Sequence, residues 1–335
     1  MEVLVGAGRV DEARDVLARA VQARPDRAEL PLELARLLVE AGRPQEASEW
    51  FARAAEADPR PETVSATVRA LSELGLRDDA VALLERLREG DRSPDLLVAI
   101  GTELQGLGRR DDALRAVDDA VARDGDHAGA RVHRGMLLVE LERPLDGLAS
   151  FERVLRRADA GLVEDERSVH VAMAGKGWAL SQLGSFEEAL QWLNTALQRM
   201  PKVDFVSGLL GWVRQNLGRH DEALAAYHAA RELDSKFVWY RKGVADCLVL
   251  LERPDEARPL FQALLEDSEA TSTLGPAERF ALHGWCHYRL RDFDAASESL
   301  VEALAIDSLL LSCQYDLALV TLLSGGARRG VAEYQ

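Results

Sequence analysis

Cysteine and lysine are both scarce in this sequence, and the scarcity of cysteine excludes a whole class of fold. Three cysteines in 335 residues cannot form the dense disulfide framework that holds small secreted domains together. Only four of the 41 basic residues are lysine, so 37 are arginine. Together with the abundant alanine and glycine, this bias is typical of a GC-rich genome, and we expect a bacterial protein.

Long apolar runs and a positive net charge are also missing. The nearest candidate for a membrane span, Leu309–Leu323, is interrupted by Gln314 and Asp316 and falls short of the roughly 18 apolar residues that a span needs. The first residues show no signal peptide. With 57 acidic against 41 basic residues the net charge is −16, which repels phosphate backbones. We therefore expect a soluble cytoplasmic protein that binds neither membranes nor nucleic acids.

What the chain does contain is one short phrase repeated along its length: a small turn residue, two acidic or polar residues, and then alanine. Six clear copies occupy Gly8–Ala13, Gly42–Ala47, Gly75–Ala80, Gly108–Ala113, Gly184–Ala189 and Gly218–Ala223. Four degenerate copies occupy Glu142–Gly147, Glu252–Ala257, Arg291–Ala296 and Gly325–Gly330. The alanine-type positions are separated by 34, 33, 33, 34, 42, 34, 34, 39 and 34 residues, so a unit of about 34 residues occurs ten times.

Each unit predicts two amphipathic helices separated by a turn. Apolar or small residues recur at helical spacing in the first stretch, as at Leu97, Ile100 and Leu104. Acidic residues open the second stretch, where they favour the positive end of a helix. Pro44, Pro144 and Pro254 fall at its first turn, where a missing N–H costs little. Small residues such as Gly101, Gly135, Gly177, Gly211 and Gly284 would let the paired helices approach closely. One hairpin cannot cover its own apolar face, so the units must stack.

The period and pattern resemble the tetratricopeptide repeat family over essentially the whole chain. Repeat two carries signature residues at Leu34, Gly42, Ala47, Phe51, Ala54 and Pro59. Repeat six carries them at Gly177, Leu180, Gly184, Phe186, Ala189, Leu193, Ala196 and Pro201. The resemblance implies an all-α fold, a right-handed α-solenoid of stacked helix-turn-helix repeats.

The spacings divide residues 1–335 into a single array with two insertions. Repeats one to five span residues 1–155 and repeats six to eight span 168–265, with an insertion at 156–167 between them. A second insertion at 266–276 precedes repeats nine and ten at 277–335. The insertions are interpreted as tolerated loop growth, with a ligand-contacting loop as the alternative.

Both ends of the array fall inside a repeat. Met1 enters in the middle of a first helix, and Gln335 stops inside a second helix just after Tyr334. Solenoids normally end in a polar capping helix, whereas the last complete helix here is rich in leucine. We therefore expect this chain to be a segment of a longer protein and to be capable of self-association.

The sequence contains no catalytic motif, and we expect neither a cofactor nor a metal. Nucleotide-binding glycine loops, nucleophile elbows and Cys-x-x-Cys pairs are all missing. His283 and His287 share a helical face and could chelate a metal, but core packing is the favoured interpretation because no third ligand is identifiable. Cys247 and Cys286 occupy equivalent positions of adjacent repeats and are expected to be free buried thiols.

In the family that this chain resembles, the first helix of each repeat lines an inner groove. Its exposed stripe falls at repeat positions 2, 5, 9 and 12. The early repeats place arginines there and the later ones place aromatic residues, so the predicted partner-binding residues are Arg36, Arg69, Trp178, Phe205, Trp212, Trp239, Asp246, Trp285, Tyr288 and Tyr315. Three glycines beside them are expected to deepen the groove floor, namely Gly175, Gly208 and Gly243. Burial of the rings within the fold is the alternative. The family's carboxylate clamp is not matched, since Lys242 and Asn216 lack the required companions.

We therefore predict a non-catalytic interaction scaffold that binds a peptide or a partner protein in its groove. The alternative is that the array is the regulatory or substrate-recognition part of a larger enzyme, such as a glycosyltransferase, a caspase-like protease or a signalling ATPase. A third hypothesis, an RNA-binding helical repeat, is disfavoured by the net charge of −16.

Overall fold

The computed structural model describes residues 10–24, 27–89, 92–271 and 274–333, and within these ranges every regular element is a helix. Residues 1–9 and the pair Tyr334 and Gln335 lie outside the described residues, so the predictions made for the two ends of the array are not addressed there. The chain forms two compact units, Met1–Leu183 and Gly184–Gln335. The predicted all-α solenoid fold is confirmed, because helical hairpins stack on one another in each unit.

The first unit begins with the second helix of repeat one and ends with the first helix of repeat six. Its helices are α1 (Val10–Ala23), α2 (Glu29–Glu40), α3 (Pro44–Ala57), α4 (Pro61–Glu73), α5 (Arg77–Arg88), α6 (Pro94–Gly106), α7 (Arg110–Arg123), α8 (Ala128–Glu140), α9 (Pro144–Asp159) and α10 (Glu166–Gln182).

The second unit begins with the second helix of repeat six. Its helices are α11 (Phe186–Arg199), α12 (Asp204–Asn216), α13 (His220–Leu233), α14 (Val238–Leu250), α15 (Pro254–Glu266), α16 (Ser268–Thr271), α17 (Pro276–Arg289), α18 (Phe293–Ile306) and α19 (Leu311–Glu333). Among the described residues no helix combines the length and the hydropathy that crossing a bilayer requires.

The repeated phrase begins the second helix of each hairpin, as predicted. Pro44, Pro144 and Pro254 are the first residues of α3, α9 and α15. Acidic residues occupy the first turn, for example Asp78 and Asp79 in α5. The alanine of the phrase has no exposed surface in any of eight copies, namely Ala13, Ala47, Ala80, Ala113, Ala189, Ala223, Ala257 and Ala296. The same six residues therefore contain both the start of the second helix and a residue of the core.

Large side chains of the second helices pack against glycines of the first helices. In the first unit, a Cβ atom on Gly135 of α8 would lie 2.6 Å from the ring of Phe151 in α9, and one on Gly175 of α10 would lie 2.4 Å from that ring. In the second unit, Tyr227 of α13 stands in the same relation to Gly211 and Gly243, where the distances would be 2.8 and 2.6 Å. The expectation that glycine permits close helix approach is thus confirmed.

The turn between the two helices of a hairpin requires a left-handed backbone conformation. Five turns use glycine with φ between 73° and 80°, at Gly42, Gly75, Gly108, Gly184 and Gly218. Three turns hold a side chain at that position instead, with φ of 58° at Glu142, 59° at Glu252 and 65° at Arg291. These three turns are strained, because a Cβ atom disfavours this conformation.

The last repeat differs from the prediction. The repeated phrase predicts a turn at Gly325 followed by a second helix, but α19 runs without a break from Leu311 to Glu333. The reason is local: residues 325–330 contain neither the acidic pair nor the proline that opens the second helix elsewhere. The predicted insertions are partly helical, since α9 extends to Asp159 and the four-residue helix α16 lies between α15 and α17.

We predict opposite stability effects for two glycine-to-alanine substitutions. Gly243→Ala forces a methyl group against Tyr227 and should lower the free energy of unfolding by about 1–3 kcal/mol. Gly106→Ala lies at the end of α6 with nothing within 4 Å of the new Cβ atom, so it should raise that free energy by about 0.5–1 kcal/mol. Urea unfolding of both variants checks the pair, and equal effects would contradict the packing described above.

Candidate partner-binding face

Seven of the ten predicted binding residues belong to the first helices of the second unit. We call them the aromatic face, defined as Phe205, Trp212, Trp239, Asp246, Trp285, Tyr288 and Tyr315 on helices α12, α14, α17 and α19. Tyr315 is 70% exposed and Trp239 is 37% exposed. The other aromatic members are half-buried, whereas Asp246 is buried.

The two tryptophans Trp212 and Trp285 are held in the same way. Trp212 meets the ring of Phe186 edge to face, with centroids 5.8 Å apart and an interplanar angle of 78°. Trp285 meets Phe261 with values of 5.1 Å and 74°. In both cases the phenylalanine belongs to the second helix of the preceding repeat. Each indole is therefore anchored against the core on one side while part of its surface stays exposed.

Asp246 already has two cationic partners within the fold. The ammonium group of Lys242 donates to one carboxylate oxygen at 2.9 Å, and the guanidinium group of Arg289 donates to the other at 3.1 Å. With both oxygens bonded to cations and only 8% of the residue exposed, Asp246 presents little surface to a ligand. Asp246 thus pairs with cations of this chain, and its role in binding a partner stays a prediction.

The same two cations flank the indole of Trp285. The Lys242 nitrogen lies 3.7 Å from the ring centroid, and the central guanidinium carbon of Arg289 lies 5.4 Å from it. Both distances are within the range of cation–π attraction. Sequence spacing gives a signal for the contact between Lys242 and Asp246, since these residues are four positions apart on one helix. It gives none for Arg289, which reaches Asp246 from the next repeat.

A second carboxylate belongs to this charged group. Burial raises the pKa of Asp316 above its ordinary value, and the negative charge of Asp246 adds to the shift, while Lys242 and Arg289 act in the opposite direction. Ionising Asp316 is therefore more costly in the folded state than in the unfolded chain.

Aromatic rings of the core fill the space beside the glycines that the sequence assigns to the groove floor. A Cβ atom on Gly208 would lie 2.3 Å from the ring of Tyr240, whose hydroxyl group donates to Asp204 at 2.8 Å. Gly175 and Gly243 are occupied by Phe151 and Tyr227 as described above. These positions serve the packing of the core, because aromatic rings occupy the space that a side chain would take, and the expectation of a deepened floor is corrected.

The remaining predicted binding residues lie in the first unit. Arg36 and Arg69 are exposed, and Trp178 is half-buried. Trp178 thus belongs to a different unit from Trp212 and the rest of the aromatic face.

Histidine and cysteine side chains are the remaining candidates for metal chemistry. Among the described residues no three His, Cys, Asp or Glu side chains lie close enough to hold a metal ion. Cys247 and Cys286 are free and buried, as predicted, and burial raises the pKa of each thiol to about 12.

We predict that two aspartate-to-asparagine substitutions in the charged group act in opposite directions at pH 7. Asp246→Asn removes the charge that Lys242 and Arg289 share and should lower the free energy of unfolding by about 3 kcal/mol. Asp316→Asn removes a carboxylate that is costly to ionise in the folded state, so it should raise that free energy.

The pH dependence of the second effect has a defined sign. The folded-state pKa of Asp316 lies above its ordinary value of 3.8, so the native carboxyl group contributes stability below 3.8 and loses that contribution as pH rises through the folded-state pKa. The advantage of Asp316→Asn should thus grow across that window and disappear below it. Urea titrations at several pH values measure this, and a constant difference would contradict the assignment.

Comparison with known proteins identifies the family to which this fold belongs. One sequence model of the tetratricopeptide repeat matches residues 98–162, 134–203 and 209–272, and another matches residues 4–66. Human protein O-mannosyl-transferase TMTC1 is 29% identical over 137 residues, which cover 41% of this chain and only 15% of that protein. The chain thus spans a small part of the length of the curated relative that it matches.

Solved structures agree on the architecture. A tetratricopeptide repeat protein from Parabacteroides merdae superposes with a TM-score of 0.55 at 17% identity, covering 78% of this chain and 98% of its own. The human IFIT1 dimer with m7Gppp-AAAA gives a TM-score of 0.62 at 17% identity, covering 98% of this chain and 80% of its own. At such identities the likeness shows the fold alone. Since the first sequence model matches half of the chain, and the helical hairpins repeat in register with it, this chain belongs to the tetratricopeptide repeat family.

Proposed function

We propose that this chain is a protein-interaction scaffold and that a peptide or a partner protein binds on the aromatic face of the second unit. The observation that best supports this function is the set of partly exposed rings on successive first helices. Among them, Trp212 and Trp285 pack against a phenylalanine ring in the same way. Tryptophan and tyrosine are the residues that most often dominate binding energy at interfaces. Proteins of this family generally bind other proteins, which supports the same function.

Exposure of the rings favours binding over simple core packing. Tyr315 and Trp239 keep 70% and 37% of their surface exposed, although large aromatic side chains are usually buried in a core. The half-buried tryptophans offer a rigid edge that is already ordered, so a partner that covers them loses little conformational entropy.

The preferred ligand follows from the charges on this face. Because Lys242 and Arg289 occupy Asp246, the partner is expected to contribute apolar side chains at regular spacing, and a cationic group is not required. An extended or a helical peptide satisfies this equally well. We further propose that this segment has no catalytic activity of its own and acts in the cytoplasm.

A second candidate is supported by the human relative. A region of protein O-mannosyl-transferase TMTC1 aligns with 41% of this chain, so the array could be the substrate-recognition or regulatory part of a larger enzyme of the glycosyltransferase class. The open reading frame on both sides of residues 1–335 distinguishes the two proposals, because a transferase domain would be encoded beside the array.

A nucleic-acid ligand is not proposed. The m7Gppp-AAAA seen with human IFIT1 concerns that protein, and the likeness at 17% identity extends to the fold only. The net charge of −16 disfavours phosphate backbones as partners of this chain.

We predict that Trp212→Ala and Trp285→Ala each weaken peptide binding about 30-fold or more, equivalent to about 2 kcal/mol. Peptides would be selected from a phage-displayed random library on the whole chain, and their affinities measured by fluorescence polarisation. Trp50→Ala is the matched control, because it removes a half-buried tryptophan from a second helix of the first unit.

A core variant separates binding from folding. Leu180→Ala removes a side chain that is 5% exposed and should cost about 2–5 kcal/mol of stability while leaving the affinity of the folded fraction unchanged. If Trp212→Ala instead unfolds the chain and residual binding is unchanged, the tryptophans are core residues and the proposal is wrong.

Self-association is part of the same proposal. Leu309 and Leu322 are 82% and 73% exposed, on either side of the exposed Tyr315 in the sequence. We predict that sedimentation velocity at high concentration shows a dimer or larger species, and that Leu322→Asp shifts the chain towards monomer. A wild-type chain that stays monomeric at high concentration would contradict this prediction.

A further inference from the structure

A cleft of about 460 Å³ opens beside the turn that joins the two helices of repeat nine. It lies wholly within the second unit, between helix α15 of repeat eight, the end of α17 and the start of α18. Its volume falls within the range of small-molecule sites in proteins, which is roughly 300–1,000 Å³.

Three arginines line this cleft, and none of the described residues that line it is acidic. Arg258 and Arg291 have neither a side-chain hydrogen bond nor an ion pair to any described residue. Arg289 uses one terminal nitrogen on Asp246, and its Nε atom is buried without a hydrogen-bond partner. Arg258 and Arg291 are thus two cations at this cleft that no described carboxylate neutralises through an ion pair, in a chain whose net charge is −16.

The walls between these arginines are aromatic. The half-buried rings of Tyr288 and Phe293 line the cleft and lie tilted against each other with centroids 6.4 Å apart. Phe261 also borders the cleft but is only 1% exposed, so it offers almost no surface to a ligand. Flat apolar walls of this kind accept a ring or another apolar body. Guanidinium groups bind planar or tetrahedral oxyanions through paired N–H donors.

The backbone of Arg291 adopts a conformation that is unfavourable for a residue with a side chain. Its φ of 65° lies in the left-handed region, at the turn position where five other repeats carry glycine. Glutamate occupies the same position in two further repeats, so a side chain is tolerated there. At this turn the tolerated side chain lines the cleft and supplies a cation without a partner among the described residues.

We propose that this cleft is a binding site for a small aromatic anion, in which a carboxylate, sulfonate or phosphate monoester meets Arg258 and Arg291 while its ring lies against the aromatic walls. This site takes a different ligand from the proposed protein-binding face and is tested by a different experiment, although Tyr288 borders both.

The probe for this site is the fluorescent anion 1-anilinonaphthalene-8-sulfonate, used with the whole chain. Its neutral counterpart N-phenyl-1-naphthylamine has the same rings without the sulfonate group.

We expect the anion to bind with 1:1 stoichiometry and more weakly as salt is added, because screening acts on the charged contact. In the double variant Arg258→Ala/Arg291→Gly its affinity should fall about tenfold or more, since two charge-assisted contacts are removed. The affinity for the neutral probe should change less than about twofold, because the aromatic walls remain.

Two controls make the result decisive. Arg199→Ala/Arg219→Ala removes two exposed and unpaired arginines from the same unit, away from the cleft, and should leave the affinity for the anion unchanged. Glycine at position 291 relieves the left-handed strain, so the unfolding midpoint of the Arg291→Gly single variant should not fall, and lost binding is then not a consequence of unfolding. The proposal is overturned if the cleft variant binds the anion as the wild type does, if the control variant loses as much affinity, or if the neutral probe is weakened equally.

Discussion

The fit of one large side chain between glycines of two neighbouring first helices is the constraint on which the rest of this architecture depends. Phe151 fills the space between Gly135 and Gly175, and Tyr227 fills that between Gly211 and Gly243. A Cβ atom at any of these glycines would lie closer to a ring atom than real contacts allow, so the helices approach to the limit set by their backbones. Consecutive first helices are thereby held in one register, and the residues at equivalent repeat positions come side by side.

This register explains how charged residues far apart in sequence form one group in the second unit. Arg289 reaches Asp246 from the next repeat at 3.1 Å, and Lys242 reaches it from one turn away at 2.9 Å. The buried carboxylate neutralises part of the charge of both cations and keeps them over the indole of Trp285. The aromatic face is thus held on two sides, by phenylalanine rings from the core and by a charged group from neighbouring first helices.

The sequence predicted the features of this protein that depend on short-range signals. Pro144 and the acidic pair Asp78 and Asp79 begin helices because backbone groups at a helix start favour them locally, so the hairpins could be placed by spacing alone. Equivalent repeat positions also predicted that certain aromatic residues share a face, and this stays a prediction. The contact between Arg289 and Asp246 could not be predicted, since the two residues are 43 positions apart and either could have faced solvent. Gly175 was misassigned for a similar reason: glycine at a groove position and glycine that receives a core ring look identical in sequence.

Arg289 connects the two surfaces that the second unit offers. One of its nitrogens binds Asp246, its guanidinium carbon lies 5.4 Å from the ring centroid of Trp285, and the same side chain lines the arginine-rich cleft. An anion in the cleft that draws Arg289 away would leave one oxygen of Asp246 without a partner and would remove a cation from the indole. Occupation of the cleft and occupation of the aromatic face therefore act on one shared set of contacts. By thermodynamic linkage, any effect of the anion on partner affinity equals the effect of the partner on anion affinity, so either measurement determines the coupling between the two surfaces.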